Sequence, residues 1–206
     1  IPLVIEEEKM QKACEVAGKE PIFRILPYQK KKAGIVTTGS EVYYHRIEDK
    51  FTPVVIEKLK ECGVTEVKQI QCNDDHEMIT EAIQTLIEDG SDLIVCTGGM
   101  SVDPDDRTPL AIKNACTEVV TYGAPVLPGA MFMLAYCEKE GRQIPVMGLP
   151  GCVMYAKRTI FDLVLPRIMC DEKLHEKDFQ LLGQGGLCLS CPVCTFPNCG
   201  FGKGKY

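Results

Sequence analysis

Short apolar runs and longer amphipathic stretches alternate along the middle of this chain. Ala33–Thr37, Glu66–Cys72 and Leu93–Cys96 read as strands. Between them, Phe51–Cys62 and His76–Asp89 repeat their apolar residues at helical spacing, and Gly63 and Gly90 stop them. Strands alternating with helices predict βαβ units, and hence a three-layer α/β/α fold with a mainly parallel sheet. Upstream, Glu6–Glu20 predicts an amphipathic helix with Met10, Ala13, Val16 and Ala17 on one face, ended by Pro21. Downstream, Pro125, Pro128, Gly129, Gly141 and Pro145 interrupt the pattern, and Met131–Cys137 with Ile144–Leu149 predict a hairpin. A continuous apolar-periodic helix is predicted over Val153–Ile168.

In such a sheet, ligands bind beyond the carboxyl ends of the strands. Three loops fall there, Thr38–Glu41, Cys72–Asp75 and Thr97–Asp106, and each carries carboxylates. Gly98 and Gly99 lack a Cβ, so a ligand can approach the backbone, and free N–H groups in such a loop bind phosphate. Asp103, Asp105 and Asp106 would repel a bare phosphate and suit one that shares Mg²⁺ with the protein. Thr108 and Pro109 open a helix directly after them. Taken alone, the segment fits an anion site and a capped surface turn equally. Gly148-Leu149-Pro150-Gly151 is a second glycine-bearing loop, and a tight strand–helix turn explains it as well as a ligand does. Of the three histidines, His76 reads as a helix-start residue, and His45 and His175 as surface residues.

Composition narrows the class. A hydrophobic share of 45% in 206 residues supports a real core, and a net charge of −6 argues against nucleic-acid binding. With neither a transmembrane-length apolar run nor a signal-peptide pattern, a cytoplasmic protein is expected. A chain opening on Ile1 is expected to follow an upstream region. Residues 1–32 then form a helix and linker, 33–170 the α/β domain, and 171–206 an extension. Eight of the twelve cysteines are scattered and mostly read as small core hydrophobes. The other four form Cys188-x-x-Cys191-x-x-Cys194-x-x-x-x-Cys199 in a Gly/Pro-rich tail that needs a metal to order it. Tetrahedral zinc and an iron–sulfur cluster both suit the spacing, with Phe196, Lys203 and Lys205 shielding or neutralising the site.

Thr38-Gly39-Ser40-Glu41-Val42, then Gly98-Gly99-Met100-Ser101-Val102 with Asp106, then Gly148-Leu149-Pro150-Gly151 occur in that order. The set resembles the molybdopterin-binding domain of the molybdopterin molybdenumtransferase family, over roughly Ala33 to Ile168. The resemblance implies the same three-layer fold, insertion of molybdate into adenylated molybdopterin, release of AMP and Mg²⁺ as helper. It implies catalytic roles for Glu41, Asp74 and Asp106. By the same token, ligand contacts are implied for Thr38, Gly39, Ser40, Thr97, Gly98, Gly99, Met100, Ser101, Gly148, Pro150 and Gly151. The partners implied are a small pterin or nucleotide ligand, a homo-oligomer and a molybdoenzyme client. Ser40 stands where the family motif has Asp, Ala130 where it has Lys, and Cys152 where it has Asn. The family's N-terminal dimerisation and hinge regions have no counterpart. Two alternatives stay open. One is a binding or sensor module that holds the cofactor without chemistry. The other is a nucleotide pyrophosphatase or amidase, because Pro104-Asp105-Asp106-Arg107-Thr108 is similar to the competence/damage-inducible family.

Overall fold

The computed structural model describes residues 3–21 and 23–204. In chain order the elements are α1 (Glu7–Ala17), β1 (Lys32–Thr38), α2 (Ser40–Tyr43), α3 (Phe51–Glu61), β2 (Glu66–Cys72), α4 (His76–Glu88), β3 (Leu93–Thr97), α5 (Thr108–Ala115), β4 (Glu118–Tyr122), β5 (Met133–Lys139), β6 (Arg142–Leu149), α6 (Cys152–Tyr155), α7 (Ile160–Met169) and α8 (Glu176–Gln180). The six strands form one sheet in the order β2-β1-β3-β6-β5-β4. β1, β2, β3 and β6 run parallel. β5 pairs antiparallel with both β6 and β4. The predicted α/β architecture, a mainly parallel sheet between helical layers, is the one observed.

Strand periodicity of two sends neighbouring side chains to opposite faces. Ile35, Val95 and Met147 pack with Val55 and Leu59 of α3 and Phe161 and Leu165 of α7. Val36, Ile94 and Val146 point the other way, onto Ile79, Ile83 and Leu86 of α4 and Ile112 of α5. Because the sheet is covered on both faces, β1 and β3 are buried along nearly their whole length.

Two expectations need correction. The helix predicted over Val153–Ile168 is broken into α6 and α7. Thr159 is extended, and its hydroxyl accepts from Phe161 N while Asp162 accepts from Thr159 N, a reciprocal cap that starts a new helix. Meanwhile Lys58 Nζ donates to Lys157 O at 3.1 Å, holding the linker onto α3. The second correction concerns α1, predicted to run on to Glu20, which ends at Ala17. All of its residues are exposed, Val16 at 89%.

Candidate ligand crest at the carboxyl ends of β1, β3 and β6

β1 lies between β2 and β3, so the chain leaves β1 toward one side and later returns on the other. A crevice forms at the carboxyl end of such a switch point. Here the segment Thr97–Met100 rises as a crest. Gly98 and Gly99 have φ of +86° and +54°, the left-handed region that favours glycine. A Cβ on Gly98 would sit 2.7 Å from Thr38 Oγ1 and even closer to the Thr38 carbonyl oxygen. One on Gly99 would meet Thr108 Oγ1 at 2.8 Å. Thr108 Oγ1 donates to Gly98 O at 2.9 Å and lies 3.2 Å from Thr38 Oγ1. The first turn of α5 thus fastens the crest to the end of β1. Met100 in turn lies over Gly148, where a Cβ would meet its Sδ at 2.7 Å.

A cleft opens on each side of the crest. One, of about 540 Å³, has Thr37, Thr38, Thr97 and Gly98 at its base, with the loop 47–51 and Met154–Tyr155 as walls. The other, of about 530 Å³, lies between Met100–Val102, the loop 127–131, Pro150–Cys152 and Leu187–Cys188. Thr97 Oγ1 is buried and has no hydrogen-bond partner among the described residues.

Of the predicted ligand residues, Thr38, Thr97 and Gly98 meet at the first cleft, and Met100, Ser101, Pro150 and Gly151 at the second. Gly99 and Gly148 support the crest between them. Gly39, Ser40, Glu41, Asp74 and Asp106 line neither cleft. Their geometry is that of loop ties. Asp74 Oδ2 accepts from Ser40 N at 2.8 Å and from Ser40 Oγ at 2.9 Å. Ser40, as a donor, joins two loops that an Asp in its place would push apart. Asp106 Oδ2 accepts from Ser101 N, while Asp105 N donates to Asp103 Oδ1 at 3.0 Å. Asp75 caps α4 by accepting from Glu77 N and Met78 N, bonds that hold its carboxyl below the usual range. Among the described residues no three His, Cys, Asp or Glu side chains gather into a group able to hold a metal ion. The expected magnesium ligands Glu41, Asp74 and Asp106 therefore form no cation site of their own.

Loop 47–51 was missed from sequence. Asp49 Oδ1 accepts from Phe51 N and Thr52 N, both at 3.0 Å, and Asp49 Oδ2 accepts from Gln69 Nε2 at 2.9 Å. Burial opposes ionisation of Asp49, but the hydrogen bonds from Thr52, Phe51 and Gln69 outweigh it and hold the carboxyl below its ordinary value. A readable signal existed, since Asp49 two residues before a helix ahead of Pro53 is a cap pattern.

The four tail cysteines expected to hold a metal, Cys188, Cys191, Cys194 and Cys199, do not gather into a metal-binding group among the described residues. Cys188 and Cys199 are half-buried and pack on the core, whereas Cys191 and Cys194 are exposed. The tail is ordered by other means. Leu127 N donates to Gly186 O and Cys188 N to Leu127 O, each at 2.8 Å, and Gly202 N donates to Gly185 O at 2.9 Å. Phe201 is buried, and Phe196 lies beneath the Arg158 guanidinium, 5.1 Å from ring centroid to Cζ, instead of shielding a cluster. Lys203 is described, and Lys205 lies outside the described residues.

The sequence matches, over residues 34–169, the model of the family described as "Probable molybdopterin binding domain". The chain belongs to this molybdopterin-binding domain family. Among curated relatives, a CinA-like protein of Mycobacterium sp. (strain MCS) is 35% identical over 85 residues, 41% of this chain and 20% of the relative. One of Mycobacterium avium (strain 104) is 34% identical over 95 residues, 46% of this chain and 22% of the relative. The chain thus spans about a fifth of the length of the curated relatives it matches. Among solved structures, the tungsten cofactor synthesizing protein MoaB of Pyrococcus furiosus superposes with a TM-score of 0.52 at 22% identity, covering 61% of this chain and 84% of that one. A putative molybdenum cofactor biosynthesis protein of Corynebacterium diphtheriae gives 0.55 at 14% identity, covering 69% and 97%. These two superpositions carry the fold. Among the described residues of the molybdopterin-binding chain, no helix is long and apolar enough to cross a membrane.

Proposed function

We propose that the chain binds adenylated molybdopterin across the crest Thr97–Met100 in molybdenum cofactor biosynthesis, with residues 33–170 as the ligand unit. The observation that carries this reading is the left-handed Gly98–Gly99 crest at the switch point of the sheet, with a cleft on each side of it. The pyrophosphate takes the backbone N–H groups of Gly98, Gly99 and Met100, and the pterin lies in the cleft bordered by Thr37, Thr38, Thr97 and Gly98. Ser40 and Ser101 hold the flanking loops, and Asp74 and Asp106 position them by accepting their N–H groups. Twelve free thiols support the cytoplasm as compartment.

Insertion of molybdate with release of AMP is the fuller reaction that the family implies. A second reading, a module that holds the cofactor without turnover, is favoured by two features. The wall at Pro128–Met131 bears no cation, and Asp74 and Asp106 already serve as loop ties. Calorimetry with molybdopterin and adenylated molybdopterin tests binding, with an expected Kd of roughly 1 μM or tighter. Gly98→Ala forces a Cβ into Thr38 and should weaken it by at least about tenfold, roughly 1.4 kcal/mol. AMP release that is lost in Asp106→Ala would establish turnover, and binding without AMP release would establish the module. Failure of both pterins to bind, with a nicotinamide nucleotide binding instead, would move the chain to the nucleotide branch.

A further inference from the structure

Cys116 follows α5 directly, and Cys137 lies in β5. Their Sγ atoms are 2.6 Å apart, well inside an ordinary nonbonded contact of two sulfurs. The backbone on both sides is fixed. Cys116 N donates to Ile112 O at 3.1 Å, and Thr117 donates to Tyr136 O from both its N and its Oγ1 at 3.0 Å. Glu118 pairs with Tyr136 across β4 and β5, and Cys137 with Ile144 across β5 and β6. Cys137 Sγ also donates to Ala115 O at 3.3 Å. The two sulfurs are thus held together by the start of an antiparallel pair, a placement that lets a bond form without moving the main chain. Cys116 is half-buried and open to solvent at its edge, while Cys137 is 4% exposed.

We propose that Cys116 and Cys137 form a modification site, a reversible intrachain disulfide made by peroxide or by exchange with a small disulfide such as oxidised glutathione. With peroxide, one sulfur takes an oxygen and releases water. The second sulfur then attacks the first. The S–O bond breaks, the S–S bond forms, and a second water leaves with the second thiol's proton. Two thiols and one peroxide give one disulfide and two waters, and two electrons pass from sulfur to oxygen. The hydrogen bond that Cys116 donates holds the Cys137 thiol below its ordinary value despite burial, and the same bond pushes Cys116 up. The link would pin the C-terminal end of α5, whose first residue, Thr108, fastens the crest. The inference does not depend on which ligand the crest takes.

The test uses the whole chain, reduced, then exposed to hydrogen peroxide at equal concentration, alkylated and digested. A linked Cys116–Cys137 peptide is expected, lighter by two hydrogens, ahead of any link involving the exposed Cys191 or Cys194. Dithiothreitol should restore both thiols, and Cys116→Ser, at a half-exposed site, should abolish the link. Oxidation should raise the melting temperature of the wild type and leave that of Cys116→Ser unchanged. If Cys137→Ser fails to fold, Cys116→Ser alone decides. Alkylation of both Cys116 and Cys137 after the tail cysteines have oxidised would overturn the proposal.

Discussion

Gly98 shows how closely one residue can be bound to a ligand site. The glycine pair after an apolar run marked Gly98 in the sequence as a place for a ligand, whereas its positive φ and its approach to Thr38 show only in the folded chain. Asp49 was not so marked, because its partner Gln69 comes from a neighbouring strand that only the folded sheet brings near. Asp49 also makes a pH prediction. Its folded carboxyl titrates below its unfolded value, so ionisation favours the native state. That contribution is complete above the unfolded pKa of about 4 and is lost as pH falls through the lowered folded value. Asp49→Asn should therefore flatten the fall of melting temperature between about pH 5 and pH 3. Equal slopes in variant and wild type would show that Asp49 has no such role.

At the scale of elements, the apolar spacing of Val153, Ile160, Phe161, Val164, Leu165 and Ile168 runs on across a break that the backbone makes. Periodicity reports which side chains face the core, and both α6 and α7 face the same one. The signal for the break was polar and local, Thr159 followed three residues later by Asp162. Asp162 also accepts from Lys58 Nζ at 2.7 Å and from Arg158 at 2.8 Å, so the cap of α7 and the seat of α3 share one buried carboxylate. Thr159→Ala should cost about 1 kcal/mol of stability, the ordinary loss for a removed N-cap. Urea denaturation measures it, and an unchanged midpoint would mean that Asp162 alone holds the turn.

The parallel half of the whole molecule was written in the alternation of strands and helices. The tail was not, because its pairing joins residues distant in sequence, Leu127 with Leu187. Backbone pairing and the buried Phe201 hold the tail, and four cysteines in a Gly/Pro-rich stretch gave no sign of either. Gly186 tests this, since a Cβ there would strike the carbonyl oxygens of Pro125 and Leu182. Gly186→Ala should loosen the tail at a cost of about 1–3 kcal/mol. The alkylation rates of Cys188 and Cys199 should rise toward that of Cys191, and unchanged rates would refute the packing account. The crest Thr97–Met100 has a consequence that reaches every element. It is packed against β1, β6 and α5, so a compound that binds it only in the folded chain is coupled to global unfolding. At a hundredfold excess over its Kd such a compound adds about 2.7 kcal/mol to the unfolding free energy. Heat resistance then becomes a readout of cofactor supply, and a starved pool of the protein is the fraction that proteases reach first.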